Sequence, residues 1–438
     1  MTTSAASPHS EKVAAQQPRL GKSFTAAAIG NAVEWYDWTI YSTFAVYFSV
    51  QFFDPSDPTV ALLSTFGIFA VGFFVRPLGG WLLGIYADRK GRKAALSLTI
   101  IMMAIPTFVI SFAPTYATIG LAAPLVLTMA RLVQGFAAGG ESGGSMAFLS
   151  EIAPPGKRGM YTSMWYSTVA AGMIIATVLG YALSRALTPA QMSTFGWRIP
   201  FIIGGVAGLI GLWIRRSVDE SRVFEAADDA LRPSKNPLVI LFRDYPRQTV
   251  RVFALTAGAS VGFYTFVSYL PTLLIKSIKL PADQTFAVHT TALFVFMIAL
   301  PLLGRLSDTV GRRPVGFAYT FGGAVAIVPL TSMLEPSFLT ALLVDIVLML
   351  LLASMYGVLA ALMTEQFPTE MRAVGIGTPY NLATAVFGGT APFLLTWLAG
   401  RGQQATYFGY VAVLMAIAGV ALLLSKESHQ HEITAIGR

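Results

Sequence analysis

The sequence contains no cysteine, which excludes disulfide bridges and thiolate metal sites. Charge is scarce as well: Asp, Glu, Lys and Arg make up 12% of 438 residues, against roughly 25% in a soluble domain. With 55% hydrophobic residues and a mean hydropathy of +0.63, most of the surface must face lipid. Histidine is limited to His9, His289, His429 and His431, none expected in a helix core, and there is no HExxH pair, so no hydrolase pattern is present. LGKS at 20–23 has the end of a phosphate-binding loop, but Gln16 stands where its first glycine belongs. ATP hydrolysis is therefore not expected, and nothing calls for a cofactor or metal. The first 22 residues are polar and lack the apolar centre of a cleavable leader, so the first membrane helix must direct insertion.

What the chain does have is apolar runs of about 20 residues, the length that spans a bilayer. They predict an all-α membrane protein with 12 transmembrane helices, near 24–50, 60–84, 94–113, 121–149, 160–183 and 198–214, then 250–275, 287–306, 315–333, 338–363, 374–399 and 404–424. The expected organisation is a polar tail (1–23), a six-helix bundle (24–214), a linker (215–249), a second six-helix bundle (250–424) and a short tail (425–438). The linker is charged and interrupted by proline, hence partly helical at most. An even number of spans puts both termini on one side. Terminal segments and even-to-odd loops hold 23 of the 30 Lys and Arg, whereas the opposite loops hold Arg185, Arg198, Lys276, Lys279 and Arg401. Positive residues stay cytoplasmic, which puts both termini inside the cell. The net charge of +8 is then a topology signal, and nucleic acid is not an expected partner. A monomer suffices for this architecture.

Internal repeats divide the chain in two. GIYADRKGRK (84–93) returns as GRLSDTVGRR (304–313), with Asp88 and Asp308, and Gly91 and Gly311, each 220 residues apart. EIAPPGKRG (151–159) is echoed by EQFPTEMRA (365–373) at an offset of 214. Repeats at half-chain distance between apolar segments indicate two homologous membrane halves. Gly135, Gly139 and Gly143, four residues apart, present bare backbone on one face for close helix contact.

A charge at membrane depth costs several kcal/mol unless it is paired or hydrated, so each one is a functional candidate. Glu34 and Asp37 share one helical face with Tyr41. At about 1.5 Å per residue, Asp37 lies roughly 22 Å along its helix from Lys22 and Arg131 roughly 30 Å from Glu151, so both fall in the outer half of the membrane. An Asp facing an Arg can exchange a proton when the pair is broken, or the two can form a static bridge. Arg76, near mid-membrane, can hold a carboxylate by two parallel hydrogen bonds or pair with Glu141 at similar depth. Asp345, which the 214 offset matches to Arg131, can meet it as a gate or stand in a watery vestibule. Tyr264, Tyr269, Tyr380 and Asn381 suit the far wall of a cavity, facing Arg76, Tyr41 and Gln134. Asp88 with Arg89 and Arg92, and Asp308 with Arg312 and Arg313, can cap helix ends and hold the halves together as a gate.

The twin decapeptides resemble the loop signature between helices 2 and 3, and 8 and 9, of the major facilitator superfamily. GNAVEWYDW (30–38), GFFVRPLGGWLLG (72–84), ARLVQGFAAGGESGG (130–144), GWRIPF (196–201) and YNLATAVFGGTAP (380–392) resemble the metabolite:proton symporter family over nearly the whole chain. TAGASVGFYTFVSYL (256–270) and TALFVFMIALPLLGRLSDTVGRR (291–313) look most like its bacterial 2-oxoglutarate permeases, although Trp165 and Met173 replace polar Gln of that pattern. The resemblance implies a fold of two pseudo-symmetric six-helix halves and alternating access. It implies proton symport of a small carboxylate, with Asp37 and Arg131 matching the family's helix 1 acid and helix 4 arginine, and decapeptides that lock the outward-open state. Other members of the family carry citrate, shikimate, or zwitterions such as proline and betaine. The zwitterion osmosensors carry a long C-terminal coiled coil, unlike the short tail here.

Overall fold

A computed structural model of the chain describes residues 8–139, 146, 149–154, 156–217, 237–425 and 427, with side chains from residue 28 onward except at a few positions. Among the described residues, twelve long helical segments follow one another: α1 (Pro8–Phe52), α2 (Pro58–Ala87), α3 (Arg92–Phe112), α4 (Ala122–Ala138), α5 (Arg158–Ala186), α6 (Arg198–Ser217), α7 (Pro246–Ile278), α8 (Ala282–Val310), α9 (Arg312–Ser332), α10 (Phe338–Thr364), α11 (Thr369–Ala399) and α12 (Gln404–Leu424). Lipid-facing positions remain large and apolar, such as Val325, Leu121 and Trp213, whereas the inward faces bury Trp38, Tyr41, Phe44 and Phe48. α1 begins at Pro8, well before the first apolar run, because SEKVAAQQ is rich in good helix formers. α7 and α8 are likewise longer than their apolar runs, and a short helix, Pro237–Asp244, precedes α7.

The two six-helix halves meet along pseudo-equivalent seams. Among the described residues, α5 packs against α8 more extensively than any other pair, and α2 packs against α11. Between these seams α1 faces α7, with Trp35 edge-on to Phe263 at 5.3 Å between ring centres. Glu427, just past α12, accepts from the amides of Arg312 (2.8 Å) and Arg313 (3.1 Å), so the end of α12 lies at the same face as the α8–α9 turn. We refer to this as the terminal face.

Two features interrupt helical regularity near the centre. Pro77 in α2 follows a break at Val75, and π-helical turns replace α geometry at Tyr264–Tyr269 in α7 and Thr384–Gly388 in α11. Such turns free or redirect backbone groups and often mark functional positions. Within the first half, α2 and α4 cross on bare backbone. A β-carbon at Gly135 would lie 2.6 Å from the carbonyl carbon of Gly72 and 2.9 Å from its Cα, so a side chain has nowhere to go. Gly139 meets the backbone of Arg76 and Gly80 in the same way, while Gly143 lies outside the described residues.

This contact gives a test. Gly→Ala in a helix gains about 1 kcal/mol of intrinsic propensity, whereas overpacking against rigid backbone costs about 1–3 kcal/mol. Gly135→Ala should therefore lower the thermal unfolding midpoint in detergent. Gly84→Ala, where no atom lies within 4 Å of the added carbon, should leave it unchanged or raise it.

Candidate functional site

The acid of α1 sits in a fully buried polar cluster. Asp37 accepts from Thr107 of α3 through Oδ1 (2.6 Å) and from the Gln134 amide of α4 through Oδ2 (3.0 Å), and Gln134 also donates to Thr107 (2.9 Å). Arg131 approaches Asp37 Oδ2 at 3.5 Å, beyond good hydrogen-bond distance, and lies 3.6 Å over the Tyr41 ring. None of its three guanidinium nitrogens has a hydrogen-bond partner among the described residues. The pairing expected of Asp37 and Arg131 is thus an ion pair without a tight hydrogen bond. Glu34 and Asp37 both line a cavity of ≈ 40 Å³ inside the first half, with Thr99 and Thr107. The space is large enough to admit water, and Glu34, Asp37, Thr99 and Thr107 are its polar lining.

Arg76 lies toward the seam between the halves. It is 3% exposed, with its guanidinium carbon 3.9 Å from the centre of the Phe73 ring and 4.3 Å from that of Trp38. Its Nε and Nη2 have no hydrogen-bond partner among the described residues. Tyr264 and Tyr380 stand within electrostatic reach of both Arg76 and Glu34. Those two tyrosines line a second cavity with Trp35, Tyr166, Tyr356 and Thr384, drawn from both halves. Its volume is ≈ 10 Å³, room for about one water, so the centre is closed in this conformation. Asn381 donates across the seam to the carbonyl of Gly139 (3.4 Å) and leaves its Oδ1 unpartnered.

Several expectations are corrected. Tyr41 does not face this centre, because its hydroxyl is committed to the Thr65 carbonyl (2.9 Å) and its ring lies beneath Arg131. Gln134 belongs to the Asp37 cluster. Tyr269 accepts from Thr396 (3.0 Å) and lies tilted against Phe66, 5.3 Å between ring centres, instead of lining the central cavity. Asp345 does not meet Arg131. It pairs with His289 in its own half at 2.9 Å, and His289 lies two turns inside α8, fully buried, contrary to its expected place outside a helix core. Glu141 lies outside the described residues, as do the side chains of Asp88 and Arg92, while Arg89 is exposed. Trp35, Tyr166, Tyr356 and Thr107 were not singled out in the sequence, because an aromatic or threonine on an apolar helix reads as ordinary packing.

The terminal face carries an interlocked charge network. Arg158 pairs with Glu365 (2.9 Å) and Arg372 with Glu151 (2.6 Å), so equivalent positions of the 151–159 and 365–373 repeats exchange partners across the seam. Asp308 accepts from the amides of Gly159 (2.8 Å) and Met160 (3.0 Å), capping the first turn of α5 from the other half. Arg312 ties Asp308 (2.6 Å) to Glu365 (3.2 Å). Arg313 differs from the gating expectation: its amide and guanidinium hold Glu427 and the Ser425 carbonyl at the end of α12, within one half.

Removing one partner of a buried ion pair costs about 3–5 kcal/mol. Glu365→Gln leaves both Arg158 and Arg312 short of a charge, so the network should give way. A single Thr384→Cys in this cysteine-free chain reports access to the central cavity. Adding Glu365→Gln should speed its labelling from the terminal face more than tenfold, since about 1.4 kcal/mol suffices for each factor of ten. An unchanged rate would mean that the network does not hold the centre closed.

Comparison with known proteins agrees with this architecture. Residues 23–238 match the family model "Sugar (and other) transporter" and residues 252–437 that of the "Major Facilitator Superfamily". The chain is 38% identical to the alpha-ketoglutarate permease of Escherichia coli (strain K12) over 400 residues, 91% of this chain and 92% of that one. It is 35% identical to the citrate-proton symporter of Klebsiella pneumoniae over 393 residues, 89% of this chain and 88% of that one. The crystal structure of a D-xylose-proton symporter superposes with a TM-score of 0.71 at 18% identity, over 94% of this chain and 99% of that one, which speaks for the fold alone. The chain belongs to the major facilitator superfamily, in the branch that includes alpha-ketoglutarate permease, and is a multi-pass membrane transporter, not an enzyme.

Proposed function

We propose that this transporter is a proton symporter that imports a small organic acid, a dicarboxylate such as 2-oxoglutarate, across a bacterial inner membrane. The observation that carries the reading is Arg76: a buried guanidinium beside the seam of the halves, held between two aromatic rings, with donors unmet. Leaving such donors unsatisfied is costly, and a carboxylate satisfies them in parallel pairs. Tyr264, Tyr380 and Asn381 offer hydroxyls and an amide for the rest of the substrate. The similarity to an alpha-ketoglutarate permease and a citrate-proton symporter supports both the substrate class and the coupling.

In the proposed cycle the bundles 24–214 and 250–424 rock about the linker 215–249, working as a monomer with both termini cytoplasmic. The excess of Lys and Arg at the terminal face supports this orientation. A proton binds Asp37 through the cavity shared with Glu34 and weakens the hold on Arg131, while the carboxylate binds near Arg76. The Arg158–Glu365 and Arg372–Glu151 pairs then open, exposing the site to the cytoplasm. A dicarboxylate carried with one proton moves net negative charge inward against the usual potential, so import requires at least two protons.

The test is uptake of labelled 2-oxoglutarate into proteoliposomes with and without an inward proton gradient. Asp37→Asn should abolish gradient-driven accumulation while sparing counterflow exchange, and Arg76→Lys should raise KM at least tenfold by losing the paired donors. Uptake that ignores both the pH gradient and voltage would refute proton coupling. Transport of proline or betaine in place of the dicarboxylate would move the chain to the zwitterion carriers.

A further inference from the structure

His289 and Asp345 form a buried pair that the cycle above leaves unused. Each lies seven residues into its helix, α8 from Ala282 and α10 from Phe338, hence about 10 Å from the face opposite the termini. Both side chains are fully buried. The ring Nδ1 stands 2.9 Å from Asp345 Oδ2 and Nε2 stands 3.0 Å from the carbonyl of Val267, while Asp345 Oδ1 has no partner.

The hydrogen-bond inventory fixes the protonation of this pair. The Val267 carbonyl only accepts, so Nε2 carries a hydrogen. The contact between Nδ1 and Oδ2 then needs one further proton, held by the ring or by the carboxyl. Either form is electrically neutral overall. Without that proton, two lone pairs would face each other beside an uncompensated buried carboxylate. The carbonyl is available for a sequence reason: Pro271, four residues after Val267, has no N–H to donate to it.

We propose that the His289–Asp345 pair is a second proton-binding site of the transport cycle, coupled to the central cavity through α7. The proposal rests on the symport reading above. Val267 belongs to the π-helical turn that carries Tyr264, so the ring Nε2–H anchors the segment that presents that tyrosine to the cavity. Thr290, next to His289, donates across the α5–α8 seam to Thr177 (2.9 Å), so parting of these helices wets the pair. The charged and titratable groups toward that face are Tyr47 on α1, Tyr181 and Arg185 on α5, Tyr269 and Lys276 on α7, Lys279 just past it, Asp283 on α8 and Glu335 before α10. The corresponding parts of α9, α10 and α11 contribute none besides Asp345. Arg185 and Asp283 answer each other at 3.3 Å, and among the described residues His289 is the one ionisable group acting on Asp345.

The experiment measures how many protons accompany each substrate. With the membrane potential clamped at zero, the logarithm of the equilibrium accumulation of labelled 2-oxoglutarate rises with the pH difference, with a slope equal to that number. The parent protein should give a slope of about two or more, as movement of a dianion without net negative charge requires. Asp345→Asn, and the double change His289→Gln with Asp345→Asn, should lower it by one while retaining counterflow exchange. In the double variant the glutamine amide can donate to Val267 and its oxygen can accept from asparagine, so both hydrogen bonds persist without a titrating group. A parent slope of one, or a slope unchanged in the variants, would overturn the second site and leave symport standing. Loss of exchange in both variants would overturn it too, marking the pair as structural. A parent slope of zero would instead refute the symport reading, and this proposal with it.

Discussion

The cost of holding charge away from water governs this molecule. Few ionisable side chains lie between the membrane faces, and those few are gathered where other groups share the burden. Asp37 receives hydrogen bonds from Thr107 and Gln134 as well as the field of Arg131. His289 and Asp345 face each other at 2.9 Å between α8 and α10. Arg76 differs in having no acid partner among the described residues: aromatic faces cushion its charge, and its Nε and Nη2 have no hydrogen-bond partner there. Aromatic contact contributes about 2 kcal/mol at a desolvated site, less than full compensation of a buried cation, so the arrangement favours an anion.

Pseudo-symmetry is used unequally. At the terminal face the repeats act as mirror partners, each supplying the acid for the other's arginine. Because both of these pairs cross the seam, they are made or broken together when the halves move. Nearer the centre the halves diverge. The first contributes Asp37, Arg131 and Arg76, and the second contributes Tyr264, Tyr356 and Tyr380. Phe296, which matches Arg76 in the repeat, is fully buried among aromatic residues. Buried basic charge near the centre thus sits in one half, while most of the tyrosines that line the central cavity come from the other.

The backbone follows the same division. In the first half α2 and α4 cross on glycines so closely that neither can shift without the other. In the second half π-helical turns in α7 and α11 flank the central cavity, leaving segments whose hydrogen bonding is already irregular. Irregular turns can change geometry at lower cost than a regular helix. A stiff charged half beside a softer aromatic half suits a carrier that must close around its cargo.

Sequence alone determined the membrane class, the number of spans, the duplication and the positions of the intramembrane charges. Each of these follows from local composition or from repetition along the chain, and solvent and sterics act on those without reference to distant residues. It also disclosed the glycine face of α4, since four-residue spacing is a property of any helix. Which charges meet was decided only in three dimensions. Arg131 and Asp345 occupy matched sites of opposite sign, yet the bundle gives each a nearer partner, Asp37 and His289. His289 was overlooked because α8 starts five residues before its apolar run, at Ala282, and helical hydrogen bonding continues where hydropathy no longer signals it. Tyr41 and Gln134 share a helix face with charged residues, but their hydrogen bonds turn them away from the central cavity. Partner choice depends on helix packing and on which donors remain unmet, and those are properties of the assembled bundle.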